Sequence, residues 1–258
     1  YQGYSHALFL RAHALGGEAV FRDRARAGLR RLVESHASGW NCANGSLSLE
    51  EARILLPLAW LVRADDRPEH RAWLTRFVAA FRARQDRSGF PGEALANPKV
   101  GVPQSNAEYG VAETSLLQRN GDPVADLLYT ANFAAIGLHE AAALGIAGAA
   151  EASERLVDAL VRAQVRAPGR PQLDGAWFRA FDFRRWEFWA SNADVGWGAW
   201  ATETGWTQSW ICTVLALRAR RTTLWDATAA PGLGAALARW RPVFLSDTLL
   251  RDAPAVTS

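Results

Sequence analysis

Seven of the 12 tryptophans fall between Trp177 and Trp210, alongside Phe178, Phe181, Phe183 and Phe188. The same stretch carries carboxylates at Asp174, Asp182, Glu187, Asp194 and Glu203, guanidiniums at Arg179, Arg184 and Arg185, and amides at Asn192 and Gln208. Indole planes stack on the C–H faces of sugars, while carboxylates, amides and arginines satisfy the hydroxyls. The combination predicts a carbohydrate cleft, with a saccharide as the partner. Trp186, Trp189, Trp197, Trp200, Trp206, Arg184, Arg185 and Asn192 are its expected binding residues. Any one of these tryptophans could equally anchor a core; the crowding is what points to a ligand.

Glycosidic cleavage generally uses two carboxyl groups, one protonated as acid and one ionised as base or nucleophile. Asp194 in SNADVGWG and Glu203 in ETGW form the first expected pair. Glu187, between Trp186 and Phe188, suits the acid role if its neighbours desolvate it; the alternative is an exposed or arginine-paired carboxylate. An earlier stretch, QSNAEYGVAET, adds Asn106, Glu108, Tyr109 and Glu113, with Tyr109 assigned to substrate binding. Arg179, Arg184 and Arg185 favour an acidic sugar, because guanidinium grips a uronate carboxylate in bidentate fashion. Elimination would instead need a base such as Tyr109 or His139, with arginine neutralising the developing charge. Carboxylates dominate the aromatic segment, which favours hydrolysis over a lyase; a noncatalytic carbohydrate-binding domain is the alternative from another class.

Other chemistries have little footing. The 29 Lys plus Arg against 26 Asp plus Glu leave a net charge of +3, and 28 of the 29 are arginine, so charge alone indicates no nucleic-acid partner. Cys42 and Cys212 are far apart, with no CxxC and no Cys/His cluster, so no metal site is expected and at most one disulfide. The sequence contains no GxSxG, GxGxxG after a strand, GxxxxGK[ST] or HExxH, and no residue cluster demands a cofactor. DDRPE at 65–69 reads as a solvated turn between helices rather than a magnesium motif. No apolar run approaches the roughly 18 residues of a membrane span. A 49% hydrophobic chain of 258 residues is expected to form one domain over 1–258.

These side chains must be positioned by helices. Apolar spacings of three and four predict helices over 4–16 and 18–36, a second pair over 48–64 and 68–85, a third over 123–146 and 148–166, and a fourth over 207–220 and 232–240. Ser48 with Glu51 fits a capping box, Pro57 should kink its helix or delay its start, and Asp122 before Pro123 reads as an N-cap. Long loops are expected over 86–122 and 169–206. Hairpins finish on a turn glycine and then an aromatic, at SGW 38–40, SGF 88–90 and DGAW 174–177. The fold class is therefore all-α, an array of helical hairpins.

GDPVADLLYTANFAAIGLHEAAALG, DGAWFRAFDFRRWEFWASNADVGWGAWATETGWTQSWI and the closing RWRPVFL together resemble the six-hairpin glycosidase superfamily. The resemblance covers about the last 140 residues in their identities and about the first 100 by pattern only. It implies an (α/α) toroid, a cleft at the loop-lined mouth of the ring, and glycoside hydrolase or polysaccharide lyase activity. A closed ring of about twelve helices would need more than the eight or so read here. The toroid is therefore expected to be incomplete on its N-terminal side.

Overall fold

The computed structural model describes residues 2–40, 46–95, 121–189, 202, 205–229, 235, 236, 238 and 239. The chain is mostly helical. Helices α1 (Gln2–Gly16) and α2 (Ala19–His36) form an antiparallel hairpin turned at Gly17, whose φ of 79° is the left-handed conformation glycine adopts most readily. Ala25, Leu29 and Val33 are the buried stripe of α2, one residue per turn, as the spacing required.

The next pair is broken where proline demands it. Helix α3 (Leu47–Arg53) stops and α4 (Leu55–Ala64) starts across Ile54. Pro57 has no N–H to give the Arg53 carbonyl, and its ring would clash with that oxygen in a continuous helix. The cap differs from expectation: Ser46 is the N-cap of α3, accepting from the Leu49 N–H at 3.1 Å. Ser48 lies inside the helix, and Glu51 turns to Arg84 and to His36 (2.8 Å) instead of reaching back to a cap. Helix α5 (Pro68–Arg84) starts on a proline and buries Leu74, Phe77, Val78 and Phe81 at helical spacing. At DDRPE, Asp65 pairs with Arg26 and Arg67 and Asp66 with Arg71, which is the solvated turn.

The third pair corrects the sequence reading at its start. Residues 124–126 form a strand, β1 (Val124–Asp126), and helix α6 runs Thr130–Ala143. Asp122 precedes that strand and caps no helix. Asp126 makes the turn, its Oδ1 accepting the Leu128 and Tyr129 N–H groups at 2.9 and 3.1 Å. Helix α6 packs on α3, α4, α5, α7 and α8, and this central position explains why nearly its whole circumference is apolar. Helix α7 (Ala149–Arg162) is amphipathic, with Ala152, Leu156 and Leu160 against the core. The segment expected as a long loop contains strands β2 (Ala180–Asp182) and β3 (Glu187–Trp189), followed by α8 (Trp206–Ala219) and a short α9 (Leu224–Ala227).

The three strands form an antiparallel sheet in the order β1-β2-β3, with Val124 opposite Asp182, Asp126 opposite Ala180, Ala180 opposite Trp189, and Asp182 opposite Glu187. Alternation sends Ala125, Phe181 and Phe188 toward the main core, while Val124, Ala180 and Trp189 pack with Leu95 on the other face. Strands of three residues are too short to show a period-two pattern against a helical background.

His139 and Glu140 also have structural work. His139 Nε2 meets the Thr222 carbonyl at 2.8 Å, and Glu140 accepts from the Trp60 indole (3.0 Å) and the Leu224 N–H (2.6 Å), fixing the start of α9 on α6. Burial raises the Glu140 carboxyl above its ordinary range, and these donors work against the shift. Among the described residues no helix is long and apolar enough to cross a membrane.

The glycine–aromatic turns hold as read. Gly39, Gly89 and Gly175 have φ of 83°, 100° and 80°; Trp40 stacks on Phe77 at 5.7 Å, Phe90 is fully buried, and the Trp177 indole donates to the Leu160 carbonyl at 2.7 Å. Gly89 is the tightest of these turns, because a Cβ there would lie 2.2 Å from the Arg155 carbonyl oxygen. Gly89→Ala is expected to lower the urea-unfolding free energy by roughly 2–4 kcal/mol, since it combines a left-handed φ with a backbone clash.

Candidate active site at Glu93 and Asp126

The turn after α5 leads the chain under α3. Gly92 N–H donates to the Arg84 carbonyl (2.9 Å), Leu47 N–H to the Ala94 carbonyl (2.8 Å) and Ala94 N–H to Ser48 Oγ (2.9 Å), with Ser46 bridged to Leu95. Pinned on both sides, Glu93 has its carboxyl between the start of α3 and the β1–α6 turn, where it is 7% exposed. Ser46 Oγ and Ser48 Oγ donate to its Oε2 at 3.0 and 2.6 Å. Each hydroxyl also accepts a backbone N–H, from Leu49 and Ala94 respectively, and the two hydroxyls lie 3.2 Å from each other, so the three groups form one network around the carboxyl. The Thr130 hydroxyl is also close enough to the Glu93 carboxyl to pull its pKa down. Ser48 and Thr130 line a small cavity of about 10 Å³, closed on its other sides by Glu51, Arg84, Phe81 and Pro91. That volume is at the lower bound for one water.

Burial pushes the Glu93 carboxyl up from the usual 4.5 to about 7, and the negative charge of Asp126 pushes the same way; the surrounding hydroxyls pull against both. Asp126 is itself 6% exposed and fixed by its two N–H bonds. One carboxyl thus keeps its proton to near neutrality because it is buried and, secondarily, because a second carboxylate adds its charge. This is the arrangement that divides acid from base.

Arginine and aromatic side chains adjoin the pair. The Arg179 carbonyl accepts from Leu127 and Leu128 at 2.8 and 3.2 Å, which sets Arg179 next to the Asp126 turn. The Arg179 and Arg53 guanidiniums lie 5.9 and 5.6 Å from the Tyr129 ring centroid, and both side chains are nine-tenths buried. Arg53 is oriented by Glu50 Oε1 at 2.5 Å. Trp206, 41% exposed, meets Tyr129 edge-on at 6.1 Å. The site accordingly combines a protonatable carboxyl, a carboxylate, two cations over a phenol ring, and an indole open to solvent.

The residues expected from sequence separate into three groups. Tyr109, Asn192, Asp194, Trp197, Trp200 and Glu203 lie outside the described residues. Trp189 and Trp206 border the site: Trp189 stands opposite Ala180, which in turn stands opposite Asp126. Arg184, Arg185, Trp186 and Glu187 belong instead to the far end of the β2–β3 hairpin. Glu187 has the exposed, arginine-facing setting rather than the desolvated one, since its side chain is 56% exposed and faces Arg185 at 3.5 Å.

Glu93 and Asp126 were not singled out from the sequence. Their partners are 45 or more residues away, or are backbone N–H groups, and neither kind leaves a local motif. Cys212 is an exposed free thiol, and among the described residues no group of three or more His, Cys, Asp or Glu is placed to hold a metal ion. No family model matches the chain, and no curated protein or solved structure matches it.

The Glu93 shift makes a thermodynamic prediction. A carboxyl raised in the folded state adds stability that is full below the unfolded value near 4.5 and is lost as pH rises through about 7. The loss across that window is about 3 kcal/mol. Glu93→Gln is expected to flatten the fall in unfolding free energy between those two pH values and to be more stable, relative to the parent, at pH above 7 than at pH below 4.5. Denaturant titrations across the window measure it; an unchanged slope would remove the assigned shift.

Proposed function

We propose that the chain is a carbohydrate-active enzyme of the (α/α)-toroid type that hydrolyses a glycosidic bond in a uronate-containing saccharide. The observation that carries this reading is the buried Glu93 carboxyl, held protonated to about pH 7 beside Asp126. Glu93 donates its proton to the glycosidic oxygen as the C–O bond breaks, so the leaving sugar departs as a neutral alcohol. Asp126 stabilises the positive charge that develops at the anomeric carbon. It either takes a proton from an attacking water, giving inversion, or attacks the carbon itself to form a glycosyl ester that water then opens, giving retention. In the second case Glu93, now ionised, activates that water.

Arg53 and Arg179 supply the charge that a uronate carboxylate needs, and Tyr129 with Trp206 supplies aromatic surface for a sugar ring. Asp194 and Glu203 remain the competing carboxyl pair, with Glu187 behind them. The same two arginines over a tyrosine also support a second reading, β-elimination, in which a phenolate removes the proton beside the uronate carboxylate and guanidinium stabilises the resulting carbanion. His139 Nε2 is engaged with the Thr222 carbonyl, so a base role for this residue would fall to its Nδ1.

Incubation with a panel of uronate oligosaccharides, following reducing ends and the ultraviolet absorbance of a new C=C bond together, tests the reading. Hydrolysis predicts reducing ends without absorbance, and a loss of about 10²–10⁴ in kcat for Glu93→Gln and for Asp126→Asn. Absorbance appearing with the reducing ends would establish the lyase. Full activity in Glu93→Gln with none in Asp194→Asn or Glu203→Gln would transfer the chemistry to the other pair. Binding without product from any substrate would leave a carbohydrate-binding domain.

A further inference from the structure

The β2–β3 hairpin loop ends on a residue with positive φ, a position that loops built on a type I turn commonly fill with glycine or asparagine. Asp182 builds the turn: its Oδ1 accepts the Arg184 and Arg185 N–H groups at 2.9 Å each, and its carbonyl accepts from Trp186 at 2.8 Å. The last turn residue, Trp186, has φ of 61°. Glycine or asparagine takes this left-handed position at little cost, whereas a bulky side chain is a genuine outlier there. Strain of this kind persists where the surroundings hold it, and it concentrates at ligand clamps.

The strained residue keeps its indole 39% exposed while anchoring it from below. Arg162 lies over the ring at 4.7 Å, Phe181 meets it edge-on at 5.1 Å, and Phe90 lies 6.1 Å away. Arg184 is exposed and has no carboxylate partner among the described residues. Arg185 is 73% exposed and only loosely engaged, at 4.0 Å from Asp182 and 3.5 Å from Glu187. Exposed pairs of this kind are weak and give way to a ligand carboxylate.

Strand register separates this surface from the carboxyl pair. The Asp126–Ala180–Trp189 row is at one end of the sheet; the Val124–Asp182–Glu187 row is two residues, about 7 Å, further along, and the turn projects beyond it. The segment from Phe90 to Leu95 runs the same way, from Trp186 at one end to the Trp189 face at the other.

We propose that Trp186, Arg184 and Arg185 form a second saccharide-binding site, distinct from the Glu93 site, that holds a remote stretch of an anionic polysaccharide chain. The indole stacks on a sugar face and the two guanidiniums take uronate carboxylates. The class of ligand rests on the functional reading above, while the existence of a separate site rests on the strained, exposed indole and the strand register.

Native affinity electrophoresis of the full chain in gels containing polygalacturonate, with hydroxyethylcellulose as the uncharged control, tests the proposal. The parent is expected to be retarded by polygalacturonate. Trp186→Gly should weaken that affinity about tenfold, the scale of one lost aromatic stacking contact, and should keep or raise the melting temperature because the φ strain is relieved. The exposed double variant Arg184→Ala/Arg185→Ala, which removes no core contact, should also weaken retardation. Equal retardation of the parent and both variants would mean simple ionic adsorption of a basic protein and overturns the site. A parent that polygalacturonate does not retard overturns it as well. Affinity lost in Trp186→Gly only together with a fall in melting temperature, and kept in the double arginine variant, makes the indole a packing residue and overturns it too. Retardation that behaves as expected, in a chain that cleaves no saccharide, supports the second site and removes the enzymatic reading alone.

Discussion

The rest of the site depends on the burial of one carboxyl group. Glu93 is buried against two serine hydroxyls that donate to its carboxyl and are themselves placed by the backbone N–H groups of Leu49 and Ala94. That arrangement requires α3 to begin at Ser46, and the break at Ile54 forced by Pro57 keeps α3 short and separately oriented from α4. It equally requires the chain to turn at Gly89, against the Arg155 carbonyl, so that residues 92–95 pass beneath α3. Asp126 arrives from the opposite side, on a turn that its own carboxylate builds.

The contrast with Glu140 shows why burial alone does not define a site. Both carboxyls are raised by desolvation. Glu140 is answered by N–H donors from Trp60, Leu224 and Trp225, and its position between α4, α6 and α9 makes it a fastening of the fold. Glu93 also has donors, the hydroxyls of Ser46, Ser48 and Thr130, and what sets it apart is the like charge of Asp126 close by. Structural carboxyls are surrounded by donors; a carboxyl set beside another carboxylate costs stability, and such costs concentrate where a proton must be exchanged.

Much of the helical framework was legible in the residues. The one-per-turn stripe of α2, the proline start of α5, the amphipathic face of α7 and the glycine–aromatic turns are all local signals, each with a local physical cause. The strands were not legible, because three residues give no measurable alternation and Val124–Asp126 merges into the apolar run of α6. The acid was not legible either: Glu93 sits in a stretch without period, and its serine partners are 45 and 47 residues away in sequence. Proximity in sequence does not give the grouping of the described aromatics in space. The hairpin carries Trp186 and Glu187 to one end of the sheet while Trp189 stays beside Asp126.

The central claim is that burial and Asp126 together keep Glu93 protonated to near neutral pH. Carbon-13 NMR of the glutamate carboxyls across a pH titration, with Glu93→Gln to assign the resonance, tests it most directly. The account predicts a Glu93 midpoint at about 7 that falls in Asp126→Asn. A midpoint at the ordinary 4.5, unmoved by Asp126→Asn, would contradict it.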